Sequence, residues 1–236
     1  MFSAKTIRTT LAVAAGSLAL ALAGGAQAGV VVKSSGPSAA QYPPGKKLSD
    51  SGTVTLKTGD TLTILADGGT RVLKGPGTLR VSARGRSTRS TLATLTRRND
   101  RSRVRTGASR GDGLATPNLW YLDLASSGTM CLPDAEGLTV TRPGGDQASI
   151  YMITSALSPD HMHVSFPAKV SLADWDMASM AVAEGTEYTV TGPDGVSNVV
   201  TFKILAEPAS TAEALGTQLL ENGCMAQLDL LTNTLM

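Results

Sequence analysis

Apolar residues along this chain fall mostly at alternate positions, the period of strands that bury one face. Residues 48–81 show it best: Val54 and Leu56, Leu62 and Ile64, Val72, then Leu79 and Val81, with threonine filling many of the positions between. Gly59-Asp60, Asp67-Gly68-Gly69 and Gly75-Pro76-Gly77 punctuate the run. Each supplies glycine for positive φ or proline for a pre-set turn. Upstream, residues 29–33 (GVVVK) predict an early strand and residues 36–45, with three prolines, a loop.

The pattern resumes after Asn118. Residues 119–124, 128–132, 138–142, 148–154 and 161–166 predict five strands, and residues 187–191 and 199–205 two more across the Gly192-Pro193-Asp194-Gly195 hairpin signal. So many short strands with regular turns predict an antiparallel β-sandwich. Its expected core is Trp120, Leu122, Val140, Ile150, Met152, Val164, Val190 and Phe202. The period then becomes helical. Ala212, Leu215, Leu219 and Leu220 share a helix face, with Thr211 to cap the start and Gly223 the end. A second short helix follows, burying Leu228, Leu231 and Leu235. The fold class is therefore mainly β: a small N-terminal β-domain (29–81), an Arg-rich spacer (82–113), a sandwich (114–207) and a C-terminal helical pair (208–236) packed on it.

Residues 1–28 read as an address. Lys5 and Arg8 precede an apolar run over residues 11–23, and Ala26-Gln27-Ala28 is an A-x-A cleavage site. The run falls short of the ~20 apolar residues that span a bilayer. The expected location is periplasmic or secreted. Two cysteines in an exported chain pair best with each other, so Cys131 and Cys224 are expected to form a disulfide that ties the helices to an early strand.

Export alters the charge picture. The chain has 21 basic and 19 acidic side chains, and the leader holds two of the bases and none of the acids, which leaves a neutral mature chain. Residues 29–111 carry 16 bases against 4 acids, whereas residues 112–236 carry 3 against 15. The basic half is concentrated in the spacer, where Arg84, Arg86, Arg89, Arg97, Arg98, Arg101, Arg103 and Arg105 stand with few apolar residues. Leu92 and Leu95 suit a short helix over residues 90–98, but no apolar stripe is present to hold it to a core. A solvated linker is one reading of such a segment. Docking onto the acidic half of the same chain, or onto anionic envelope lipid or polysaccharide, are two others, because the guanidinium fork binds carboxylate or phosphate. Nucleic acid is not an expected partner, since stacking aromatics are absent between Arg80 and Arg110.

The segment from Gly45-Lys46-Lys47-Leu48 through Val54-Thr55-Leu56-Lys57-Thr58-Gly59-Asp60 to Leu65-Ala66-Asp67-Gly68-Gly69-Thr70-Arg71 and Gly75-Pro76-Gly77 resembles the periplasmic FecR-like β-domain. Its pattern is a G-x-x-L entry, a Gly-Asp turn, a strand, a D-G turn and a further strand. The resemblance covers residues 30–81. The anti-sigma segment and transmembrane helix that precede this domain in the best-known members do not occur in this sequence. The resemblance thus implies an exported sensing or docking module that signals through contact with a membrane-associated protein.

Reactive chemistry has little to stand on. The chain has no G-x-S-x-G, S-x-x-K or H-E-x-x-H motif, and Gly75-Pro76-Gly77 lacks the helix and Lys-Ser/Thr of a phosphate loop. His161 and His163 would share one face of a strand, yet spacing places no third or fourth metal ligand beside them. They read as rim histidines. Asp174 and Asp176 flank Trp175, and the simplest reading turns the indole to the core and the acids to solvent. The sequence predicts a non-enzymatic binding or regulatory module without a cofactor, or alternatively an envelope structural or polyanion-binding protein that uses the arginines.

Overall fold

A computed structural model describes residues 27–49, 51–82, 88–98 and 117–236. The first body is built from β1 (Gln27–Ser35), β2 (Lys47–Ser49), β3 (Thr53–Leu56), β4 (Thr61–Ala66), β5 (Gly69–Lys74) and β6 (Gly77–Arg80). Four of them form an antiparallel sheet in the order β2-β1-β4-β5, and β3 pairs with β6 across from it. Val31, Val54, Leu56, Leu62, Ile64, Leu73 and Val81 fill the space between. Strand β1 is buried on both faces. Val31 points into this core while Val30 and Val32 point away from it into a second, which is why the segment reads as an unbroken GVVV run rather than an alternation.

Val72, expected in the core, is 37% exposed, and Leu73 takes the inward place. The register decides it: Leu73 lies opposite buried Leu62, and Val72 opposite Thr63.

The sandwich pairs a five-stranded sheet with a three-stranded one. The larger contains β8 (Gly128–Leu132), β10 (Ser149–Ser155), β11 (Ser158–Phe166), β13 (Glu187–Thr191) and β14 (Ser197–Ile204), in the order β11-β10-β13-β14-β8. The smaller contains β7 (Tyr121–Asp123), β9 (Thr139–Thr141) and β12 (Leu172–Asp174), a strand that the apolar pattern does not announce, in the order β12-β9-β7. Most pairings are antiparallel, but β14 with β8 and β7 with β9 run parallel. Between the sheets lie Leu122, Val140, Val164, Val190 and Phe202, as expected, around an edge-to-face cluster of Trp175, Tyr188 and Phe202.

Three of the expected core residues lie elsewhere. Ile150 is 57% and Met152 38% exposed, because β10 pairs Tyr151 with Val164 and Ile153 with Met162, and it is these residues that face inward. Trp120 is buried, but in the second core, with its indole N–H donated to the carbonyl of Thr96 at 3.0 Å.

That second core joins everything. It gathers α1 (Arg89–Leu95), α2 (Ala212–Glu221) and α3 (Met225–Thr234) between the two β-bodies, with Val30, Val32 and Leu65 from one side and Leu119, Cys131 and Leu205 from the other. Helix α2 begins at Thr211, whose hydroxyl accepts from the Ala214 N–H, and ends before Gly223 at φ 72°. It lies so close to the first sheet that a Cβ on Gly216 would come within 2.2 Å of a methyl of buried Leu65. The helical pair expected on the sandwich thus packs on the N-terminal sheet as well. Helix α1 is held too. Leu92 is 5% and Leu95 1% exposed, so two side chains meeting a core formed by other segments suffice where no stripe exists.

Candidate binding surface

The predicted disulfide is present, Cys131 to Cys224, across a sequence separation of 93. Cys131 is also clamped through its backbone. The Gln227 side chain is buried, its Oε1 accepts from the Cys131 N–H at 2.7 Å, and its Nε2 donates to the carbonyls of Cys131 at 2.8 Å and Leu119 at 2.7 Å. Strand β8 is an edge strand, and this amide completes it as a neighbouring strand would. Because Gln227 follows Cys224 by three residues, bond and clamp lie on one helix face.

The Asp67-Gly68-Gly69 turn holds more than a hairpin. The Asp67 carbonyl accepts from the Thr88 hydroxyl before α1, and its carboxylate accepts from the Glu213 N–H in the first turn of α2. Next to it, the Thr70 N–H donates to the carbonyl of Leu235 at the end of α3. Burial, reinforced by the Asp67 charge, raises the Glu213 carboxyl above its usual range despite the opposing charge of Lys47. At the neighbouring turn Asp60 is buried and accepts from the N–H groups of Ser38, at 2.9 Å, and Lys57. Burial pushes its carboxyl up, but the bonds from Ser38 and Lys57 and the Lys57 charge outweigh it, so it sits below the ordinary carboxylate range.

Of the arginines singled out in the sequence, Arg84, Arg86, Arg101, Arg103 and Arg105 lie outside the described residues. Arg89, Arg97 and Arg98 are exposed. Arg98 pairs with Asp134 at 3.5 Å, an ion pair between the spacer and the acidic half, and the Arg97 carbonyl accepts from the Asn118 side chain at 2.8 Å. Arg142, which the sequence reading passed over, is the buried one. Its guanidinium donates to the carbonyls of Val170, Gly145 and Pro167 and to the Ser149 hydroxyl, and lies 5.0 Å from the centre of the Phe166 ring. It fastens the loops at one end of β10 and β11.

The indole of Trp175 is turned inward, 3% exposed, with its N–H donated to the Met180 carbonyl. Asp176 lies outside and accepts from the Ser179 hydroxyl and from the N–H groups of Ser179 and Ala178, which hold its carboxyl below the usual range against a small opposing effect of burial. Asp174, the other acid flanking the indole, is exposed as well.

The outward face of the five-stranded sheet carries apolar side chains. Ile150 and Met152 on β10 and Val199 on β14 are exposed there, separated by a threonine surface that includes Thr154, Thr189 and Thr191. Met152 lies opposite His163, and Thr154 opposite His161. The two imidazoles, both exposed, are 5.0 Å apart. Two shallow grooves flank α3, one of about 250 Å³ with Lys33, Asp229 and Asn233 on its walls, the other of about 200 Å³ lined by Leu122, Met130 and Leu230.

No helix among the described residues is long and apolar enough to cross a membrane, and none of their His, Cys, Asp or Glu side chains gather in threes. No family model matches the chain, and no curated protein or solved structure was found to be similar to it.

Proposed function

We propose that this chain is an exported binding module of the cell envelope, with a FecR-like N-terminal part, that acts by docking a membrane-associated signalling protein on the outward face of its five-stranded sheet. The observation that carries this reading is the set of apolar side chains on that face. A solvent-facing sheet surface is normally polar at alternate positions; here Ile150, Met152 and Val199 occupy places the pairing register leaves outside. The Cys131–Cys224 bond fits an oxidising compartment, and the A-x-A site after the apolar run of residues 11–23 gives the route there.

The core behind this face is complete without the three side chains, so exchanging them tests binding without touching the fold. Ile150→Lys and Met152→Lys are expected to retain the unfolding midpoint of the parent. Each is expected to lose a membrane protein that co-purifies with the parent from detergent-solubilised envelope. Equal recovery of that protein with both variants, or recovery of lipid alone by the parent, refutes the reading.

A further inference from the structure

His161 and His163 stand side by side on the outermost strand of the five-stranded sheet. The two residues are two apart on β11, so both side chains stand on the outward face. Their ring centres are 5.0 Å apart, and neither ring forms a hydrogen bond to the described residues. That spacing suits a shared ion. A zinc about 2.0 Å from a coordinating nitrogen lies about 3.2 Å from the ring centre, so two imidazoles at the tetrahedral angle have centres about 5.2 Å apart.

Two nitrogens leave a zinc ion two ligands short, and the remainder of this chain does not provide them: no third His, Cys, Asp or Glu joins the pair among the described residues. Strand β11 is, however, the outermost strand of its sheet. An edge of this kind presents unpaired backbone groups to any strand that can lie beside it. A second copy of the same strand, antiparallel about a two-fold axis midway between the two Met162 residues, sets His161 of each copy opposite His163 of the other. All four rings then lie on one face of a continuous sheet, because residues facing each other across an antiparallel pair point the same way, with Cβ atoms about 4.5–5.5 Å apart. The two-fold operation is self-complementary, so a site half-filled by one copy is completed by its equal. About that axis Asp160 faces Val164 and Pro159 faces Ser165 of the other copy, so the edge carries a charge and a missing N–H donor that oppose pairing of bare strands and leave the metal to hold the copies together.

We propose that His161 and His163 of two copies bind one zinc ion, or a similar borderline divalent ion, and that the metal joins the copies through their β11 edges. The histidines share the outward face with the proposed docking surface, but the inference does not depend on that reading, since the test reads assembly of the chain with zinc rather than partner capture. The experiment is sedimentation velocity of the tag-free exported chain with ZnCl₂ added stepwise, alongside metal analysis of the separated species. The expected result is a dimer holding one zinc per two chains, dispersed by EDTA, not formed with CaCl₂, and absent in His161→Ala and His163→Ala. Both positions are exposed, so the variants are expected to keep the parent's unfolding midpoint. A monomer throughout the titration, zinc bound one per chain without association, or a zinc dimer that persists in both variants would each overturn the proposal.

Discussion

Removing the Gln227 amide should cost far more than a surface hydrogen bond. In Gln227→Met the side chain keeps its length and apolar stem but can neither donate nor accept. Three backbone groups lose their partner at once: the Cys131 N–H, the Cys131 carbonyl and the Leu119 carbonyl. Cys131 and Leu119 are both wholly buried, so water does not replace what is lost. A buried group left unsatisfied costs about 1–3 kcal/mol, with carbonyls towards the low end, which gives about 3–5 kcal/mol for the three together. A domain of this kind has a total stability of about 5–15 kcal/mol, so the loss is a large part of it. Urea unfolding with the disulfide intact measures this, and the two tryptophans report from different cores, Trp120 beside the helices and Trp175 inside the sandwich. The expected result is a midpoint lowered on both signals, with the Trp120 signal changing no later than that of Trp175. Gln227→Glu should be worse still, because its carboxylate faces two carbonyls. A Gln227→Met variant within about 1 kcal/mol of the parent would refute the view that this amide serves as the missing neighbour of β8.

Reduction of the Cys131–Cys224 bond should also destabilise the chain: closing a loop of this length is worth up to about 4–5 kcal/mol by chain entropy. The expected fall in Tm is on the order of 10 °C in calorimetry, and an unchanged Tm with both thiols shown to be free would contradict it. Asp60 predicts an acid limb. Its carboxyl is held below the value of an unfolded chain, so its contribution is full above about pH 4 and disappears as pH falls through the folded-state value. The stability gap between the parent and Asp60→Asn should therefore narrow as pH falls below about 4, and a gap constant as the solution is acidified would show that the carboxylate charge is not what holds the Ser38 loop.

Where one segment carried its own signal, the sequence was legible. Thr211, the Leu215 and Leu219 face and Gly223 specify α2 without reference to the remainder of the chain, and the structure places the helix where they do. The alternation in residues 161–166 points Met162, Val164 and Phe166 inward, as found. Residues 148–154 carry four consecutive large side chains, and nothing within that segment says which two face the core. Their partner does: opposite Met162 and Val164 only Ile153 and Tyr151 can be inside. The same rule exposes Val72. The outward apolar face and the placing of the two histidines beside Met152 therefore became visible only once strands were paired.

The amino-acid order alone determined the period of each segment, its turns and its caps, because these depend on neighbours a few residues away, and with two cysteines in the chain it left one possible pairing. Only the tertiary structure decided that Gln227 would complete β8, that the Asp67 turn would receive all three helices, that Arg142 would be buried, and which apolar residues would be left to solvent. Those outcomes depend on groups brought together from far along the chain, and burial and hydrogen-bond satisfaction are properties of that assembled neighbourhood rather than of any local run of residues.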